Sequence, residues 1–336
     1  MSDRPQVSIV LPTCDRIQFL PAAVDSVFAQ TFRDWELIVA DDGSSDVSVL
    51  EYLRALERDA RVRVLRREHV GNPGRVRNAG IAQARADLVA FMDSDDLWAP
   101  AKLEKQIAEM RPRPKCGWSY TGFLIVDVHN VPLPAEQHRR WTPYDGEIFA
   151  EVVRGAASIR TPAVVARTNL LRDIGGFDER IDCAEDYDLW TRLALVTPVC
   201  VVDAPLVRVR RHRPDSAGTP GASHAGRELS LRKLANAQRG PRRALLLEEL
   251  GRNAWRHAAV MADLRGPQPA VATFATGVRF GWRYPRWWYG AAKAAAQACV
   301  GPRALPRSAL PGAQRSTDTV EAGLERRGEE LRAGDR

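Results

Sequence analysis

The chain has 336 residues, 45% hydrophobic and 27% charged, the composition of a soluble globular protein with room for one large or two ordinary domains. Its five cysteines (Cys14, Cys116, Cys183, Cys200 and Cys299) are odd in number, widely spaced and free of any Cys-x-x-Cys, which argues against a disulfide framework and against structural zinc. The net charge of +7 is uneven: residues 1–224 hold 29 Lys+Arg against 32 Asp+Glu and residues 225–336 hold 20 against 10, so a basic surface that could meet an anionic membrane is confined to the C-terminal third, where a solvated helix face is the alternative, and no nucleic-acid partner is expected.

In chain order, Val7–Leu11 reads as a β-strand closed by Pro12-Thr13, and Pro21 with Val24, Val27 and Phe28 as a helix with proline in its first turn. No apolar leader precedes that strand, so the expected compartment is the cytoplasm. The pattern recurs with Trp35–Ala40 as a strand and Val49, Leu50, Leu53 and Leu56 at helical spacing. A short strand over 62–65 and a helix over 74–86 follow, then a strand over 88–92 and a helix over 100–110. Strands alternating with helices predict an α/β fold, a Rossmann-like and mainly parallel sheet flanked by helices. Further along, residues 116–128 and 199–209 read as strands, 132–144 as a loop over the site, and 228–237 and 245–264 as helices of a C-terminal extension.

Two acidic clusters share an address in that architecture. Asp41-Asp42 and Asp93-Ser94-Asp95-Asp96 both follow predicted strands, at the edge where open α/β sheets bind ligands. Three crowded carboxylates repel unless a cation or hydrogen-bond donors hold them, and oxygen-only ligation suits Mg²⁺ or Mn²⁺ together with a diphosphate. A solvated acidic turn that caps a helix is the alternative for an isolated Asp-x-Asp. Between the clusters, Gly71 to Gly80 forms a basic, glycine-rich entry into a helix, whose arginines could meet a phosphate or position an acidic side chain. Later, after Gly175-Gly176-Phe177-Asp178-Glu179, helical spacing resumes at Glu185 and puts Asp186, Trp190 and Leu193 on one face. A carboxylate beside an indole has a route to a raised pKa and suits a general base, whereas Glu185, Asp186 and Asp188 could equally be helix N-terminal acids.

The ordered set Val7-Ser8-Ile9-Val10-Leu11-Pro12-Thr13, Asp41-Asp42-Gly43-Ser44-Ser45-Asp46, Arg77-Asn78-Ala79-Gly80 and Asp93-Ser94-Asp95-Asp96 resembles the family two glycosyltransferases of the A-type nucleotide-sugar fold. The resemblance covers about residues 5–215 and implies an inverting transferase that uses a nucleotide-diphosphate sugar, a UDP-sugar by preference, with Mn²⁺ or Mg²⁺. It implies Asp186 as the base and Pro12, Thr13, Arg16, Asp41, Asp42, Arg77, Asn78, Asp93, Ser94 and Asp95 as nucleotide-sugar contacts. Asp95 and Asp96 would hold the metal, with His212 a further candidate from the basic run Arg210-Arg211-His212-Arg213. Glu185 and Trp190 are acceptor-side candidates, although Trp190 also reads as packed core. Cys14-Asp15 departs from the family pattern of an aromatic residue and Asn, and Val76 from its usual Ala. The expected acceptor is a hydroxyl, on a lipid-linked glycan if the work is cell-surface polysaccharide or glycolipid synthesis.

The expected division is a catalytic domain over 1–220, a helical, basic and aromatic extension over 221–301 and a tail over 302–336. Residues 280–300 gather Trp282, Trp287, Trp288 and Tyr289 among arginines, too short and interrupted to span a bilayer but suited to peripheral contact with the inner face of a membrane, or to packing on the domain. Three rival functions were weighed. A sugar-phosphate nucleotidyltransferase should carry a glycine-rich basic loop where this chain has Pro12-Thr13-Cys14-Asp15-Arg16, an Asp-x-Asp phosphatase needs phosphate-holding groups not evident beside Asp93, and a non-catalytic nucleotide-binding or membrane-adaptor protein needs neither Asp186 nor the acidic cluster.

Overall fold

The computed structural model describes residues 4–133, 141–211 and 221–265, with positions 275, 278 and 288. In its first half β1 (Val7–Thr13), α1 (Leu20–Phe28), β2 (Trp35–Asp42), α2 (Val47–Leu56), β3 (Val62–Arg67), α3 (Pro73–Gln83), β4 (Leu88–Phe91) and α4 (Lys102–Met110) follow one another as the hydrophobic periods predict, and the two-residue β5 (Leu97–Trp98) is added before α4. Then come β6 (Trp118–Val126), α5 (Phe149–Arg154), β7 (Val165–Arg167), α6 (Thr168–Asp173), α7 (Glu185–Val196), β8 (Val199–Arg210), α8 (Ala222–Ala237) and α9 (Gly240–Arg265).

All eight strands share one sheet ordered β3-β2-β1-β4-β7-β6-β8-β5. The first half is parallel because each helix returns the chain to the same edge: β1 lies between β2 and β4, and β2 beside β3. β7 then enters antiparallel to both β4 and β6, and β5 lies antiparallel to β8, so parallel pairing prevails but the sheet is mixed. β1 and β2 each run two residues past the predicted end, which makes Asp41 and Asp42 the last residues of β2, opposite Arg66 and Arg67. The long β8 carries Arg208 onto Leu97 of β5 and so brings Arg210 beside the acidic turn.

Both faces of the sheet are covered, hence the near-continuous apolar runs of β1 and β2. Ile9, Leu11, Leu37 and Val39 pack with Leu20, Val24, Val49, Leu53, Leu103 and Ile107 on one face. Their alternates Val10, Ile38, Val89 and Phe91 pack with Ile81, Leu189, Trp190 and Leu193 on the other. Helix α3 comes so near the sheet that a Cβ at Gly80 would stand 2.5 Å from Val10 Cγ1, so this contact needs glycine.

The two helices after residue 221 pack on the sheet domain. Leu231, Leu234, Ala235, Leu246 and Leu250 cluster with Val153, Tyr187 and Leu195. Asp188, fully buried in α7, anchors them: Oδ1 accepts from Ser230 Oγ (2.8 Å) and Lys233 Nζ (2.6 Å), and Oδ2 from Arg192 Nε (2.7 Å). For these two helices, packing is the outcome. The aromatic run 280–300, position 288 apart, and the tail lie outside the described residues, and among the described residues no helix is long and apolar enough to cross a membrane.

Lys102 is fully buried at the start of α4, its Nζ 3.9 Å from the centroid of the Trp98 ring and without a hydrogen-bond partner. Burial holds its ammonium well below the ordinary lysine value of 10.5. The unfolded chain keeps that proton up to 10.5 and the folded chain releases it earlier, so the residue weakens the fold below the depressed value and stability recovers as pH rises toward 10.5. Lys102→Met is therefore expected to raise unfolding free energy by about 1–4 kcal/mol at pH 7.5, the gain narrowing toward pH 10, in urea titrations at the two pH values. A variant less stable than the parent at pH 7.5 would mean that the cation–π contact with Trp98 outweighs desolvation.

Candidate active site

The site is built around α3. Asn72 caps this helix by accepting from Arg75 N (2.8 Å), and Pro73 occupies its first turn. Asn72, Arg75 and Asn78 recur every third residue and thus share one face, which holds the loop before α7. Asn72 Nδ2 donates to Asp182 Oδ1 (2.9 Å) and Glu179 O (3.2 Å), and Arg75 Nε to Glu179 Oε2 (3.1 Å). Asn78 Nδ2 donates to Phe177 O (2.9 Å) and Glu179 Oε1 (3.1 Å), while its Oδ1 accepts from Phe177 N (2.8 Å). Gly176, at φ 62°, lies so close to Asn78 that a Cβ would clash with its amide.

Arg77 points inward from the same helix. Its Nη2 donates to Asp93 Oδ1 at 2.7 Å, its Nη1 to Glu185 Oε1 at 2.8 Å, and its Cζ lies 5.4 Å from the centroid of the Phe177 ring. Burial works against its charge, but Asp93 and Glu185 hold the guanidinium above its ordinary range. Glu185 is itself buried, and burial with the adjoining Asp186 charge pushes its carboxyl up against the pull of Arg77. Asp186 is half-buried, its Oδ1 accepting from Tyr187 N (2.7 Å), and its charge is felt at both Asp93 and Glu185.

The turn after β4 sets its carboxylates at different depths. Asp95 is partly exposed, with Oδ2 3.9 Å from Arg16 Nη1. Asp96 is only 4% exposed, and its Oδ1 accepts from Arg210 N (2.8 Å). Arg210 also donates from Nη1 to Asp95 O (3.0 Å) and packs 5.1 Å from the Phe19 ring centroid. Burial and the mutual charges of Asp93, Asp95 and Asp96 push the Asp96 carboxyl well above the usual carboxylate range, and the Asp93 carboxyl up despite Arg77. Such a crowded oxygen set suits a hard divalent cation. Among the described residues no group of three or more His, Cys, Asp or Glu side chains is arranged to hold a metal ion by itself. His212 lies outside the described residues.

The ends of β1 and β2 close the site. Asp42 accepts from the backbone N–H groups of Val70 and Gly71, both at 2.9 Å, and lies 3.2 Å from His69 Nδ1. Asp41 accepts from Ser44. Asp15, in the left-handed region at φ 46°, accepts at Oδ1 from Ser45 N and Asp46 N (2.9 Å each), and these bonds hold its carboxyl below the ordinary value. Pro12 and Thr13 stand between these loops, and Thr13 Oγ1 is buried with no partner in the protein. Ser94 is buried in the acidic turn.

The fold is the A-type nucleotide-sugar fold, as its likeness to solved structures shows. Residues 8–142 match the family model described as Glycosyl transferase family 2. It is 38% identical over 128 residues to the UDP-Glc:alpha-D-GlcNAc-diphosphoundecaprenol beta-1,3-glucosyltransferase WfgD of Escherichia coli (37% of this chain, 48% of that protein). Over 238 residues it is 29% identical to the O-antigen biosynthesis protein RfbC of Myxococcus xanthus (70% of this chain, 18% of that protein). The chain thus spans about half of the first relative and less than a fifth of the second. The S. aureus TarS 1–349 structure in complex with UDP-GlcNAc has a TM-score of 0.66 at 20% identity, covering 87% of this chain and 89% of that one. The mannosyltransferase PcManGT from Pyrobaculum calidifontis, in complex with GDP-Man and Mn²⁺, has a TM-score of 0.56 at 19% identity, covering 89% and 87%.

Against the sequence reading, the structure brings Thr13, Asp41, Asp42, Asp93, Asp95, Asp96, Glu185 and Asp186 to one edge of the sheet. Three of the candidates are engaged by the protein itself. Arg77 and Asn78, expected to touch the nucleotide sugar, are turned onto the protein, Arg77 between two carboxylates and Asn78 on the Phe177 loop. Trp190, an acceptor-side candidate, is 2% exposed and packs with Phe91, Trp118 and Phe177, so it is core. The carboxylate pushed up at this helix start is Glu185, by burial and the charge of Asp186. His69, Asn72 and Arg210 went without individual roles in the sequence reading; Asn72 before Pro73 carried a recognisable helix-cap signal, whereas nothing local marks His69.

Because the Asn78 amide is engaged by the Phe177 loop, Asn78→Ala is expected to lower unfolding free energy by about 1–3 kcal/mol while changing UDP affinity less than about twofold. Urea unfolding and calorimetry check the two halves. Weakened UDP binding at unchanged stability would return Asn78 to the ligand.

Proposed function

We propose that the chain is an inverting glycosyltransferase that moves a sugar from a nucleotide-diphosphate sugar, a UDP-sugar by preference, to a hydroxyl acceptor. The observation that carries this reading is the joining of the Asp93–Asp96 turn to the Glu185-Asp186 helix start through Arg77, which gives one site a leaving-group end and a base. UDP and a lipid-linked acceptor are supported by the name of the E. coli relative, and polysaccharide synthesis by that of the Myxococcus protein. On this reading the catalytic domain is 1–220 and the extension 221–301, and the chain works in the cytoplasm, at the inner face of a membrane where the acceptor is lipid-linked.

Asp42, Asp41, Pro12 and Thr13 would receive the nucleoside, with the unpartnered Thr13 hydroxyl as one donor to it. Asp95 and Asp96 would hold Mg²⁺ or Mn²⁺, with Arg16 beside Asp95. A bound divalent cation supplies Lewis-acid stabilisation of the departing diphosphate. Asp186, the more exposed of the pair, takes the proton from the acceptor hydroxyl as that oxygen attacks the anomeric carbon from the face opposite the nucleotide. Glu185 is buried against Arg77 and cannot serve in that place.

The first test is nucleotide release with UDP-, GDP- and dTDP-sugars. Release with none of them would refute the assignment. Asp186→Asn is expected to bind UDP as the parent does and to lose about 10²–10⁴-fold in turnover. Near-normal turnover in that variant with saturating acceptor would send the search for a base elsewhere.

A second expectation concerns the carboxylates. UDP binding should require Mg²⁺ or Mn²⁺ and should weaken at least about tenfold in Asp95→Asn and in Asp96→Asn, measured by calorimetry with and without chelator. Undiminished, metal-independent binding in the double variant would remove the metal from the account.

A further inference from the structure

On the transferase reading, we propose that Arg77 is a positioning residue for the chemical step, setting the base at a fixed separation from the diphosphate-side carboxylates without taking part in donor binding. Three observations carry this. First, the guanidinium spans elements far apart in sequence: from α3 it reaches Asp93, 16 residues on, and Glu185, 108 residues on, with hydrogen bonds of 2.7 and 2.8 Å. Its planar fork can hold two carboxylates at once in one orientation, whereas a lysine ammonium is a point charge on a flexible stem.

Second, Tyr187 and Asp188 tie the far side of the first turn of α7 to Val153 and α8, and Arg77 holds its leading residue. Ala184 at its N-cap lies in the left-handed region (φ 67°) and supplies no side-chain cap, so the helix starts at Glu185 without the usual local brace. The bond from Arg77 to Glu185 takes that role, and Asp186 is the next residue along the backbone. Third, the surroundings leave the guanidinium one place to be. The Arg77 side chain is 8% exposed and packs against Phe177, and α3 lies so close that a Cβ at Gly74 would stand 3.1 Å from Phe177 Cβ and 3.3 Å from Glu185 Cγ. A shift of about 1 Å at a reacting group can cost about 10²-fold in rate, which is the scale of effect such a brace controls.

The experiment compares the parent with Arg77→Lys, Glu185→Gln and the double variant, each verified as folded by circular dichroism. UDP binding in the presence of Mn²⁺ is measured by calorimetry, and kcat and KM from nucleotide release with UDP-glucose or UDP-N-acetylglucosamine, to water or an alkyl glycoside. The expected result for each single variant is a UDP Kd within about threefold of the parent, an unchanged donor KM and a kcat lower by about 10–100-fold. The double variant should be no slower than the worse single variant, because both changes release the same turn. Glu185→Gln, which keeps the shape of the side chain, serves as the test if Arg77→Lys does not fold. The proposal is overturned if UDP affinity falls in proportion to kcat, if kcat stays within twofold of the parent, or if the two losses multiply in the double variant. Failure of the transferase reading is separate: it appears in the parent, as no nucleotide release from any donor.

Discussion

A buried guanidinium must be neutralised, and that need organises the centre of this molecule. Removing Arg77 from water costs several kcal/mol unless carboxylates meet it in good geometry. Asp93 and Glu185 do so from two different elements, so α3, the end of β4 and the start of α7 can be together in only one arrangement. Phe177 lies against the Arg77 guanidinium, and Asn78 fastens its backbone to α3.

The wider fold serves this junction. Parallel strands bring the ends of β1, β2 and β4 to one edge, and glycine at position 80 lets α3 lie close enough on β1 for Arg77 to reach that edge. β8 adds the other wall, since its pairing with β5 fixes Arg210 against Asp95 and Asp96. Through Asp188 the helix that carries Glu185 and Asp186 is also tied to α8, so the extension supports the site from behind. Burial and the crowding of neighbouring carboxylates push the Asp93 and Asp96 carboxyls up, and on the proposed reading a bound cation would relieve that repulsion.

Much of this was legible in the sequence because it rests on periodicity and on chain order. Alternating apolar runs located every strand and helix of the first half except the two-residue β5, and the positions of Asp42 and Asp93 behind such runs put them on one edge. Side-chain direction was less legible. Arg77 and Asn78 are neighbours in one motif, yet a helix turns them by about 100° relative to each other, one inward to Asp93 and one outward to the Phe177 loop. Distant partners fix both directions: Glu185, 108 residues from Arg77, and Phe177 and Glu179, 99 and 101 residues from Asn78. Trp190 shared a helical face with Asp186 on paper, but Phe91, Trp118 and Phe177 claim its ring. The antiparallel β7 was missed because a three-residue strand carries too little pattern to be seen alone.

On the proposed reading, one braced site carries out a single displacement at the anomeric carbon, with the base and the diphosphate on opposite faces of the sugar. The configuration of the product tests it most directly. With an α-linked UDP-sugar as donor and the reaction followed by proton NMR from its first turnovers, the account predicts a β-linked product with the large anomeric coupling of a glucose-type sugar. An α-linked product formed at the same early times would contradict it.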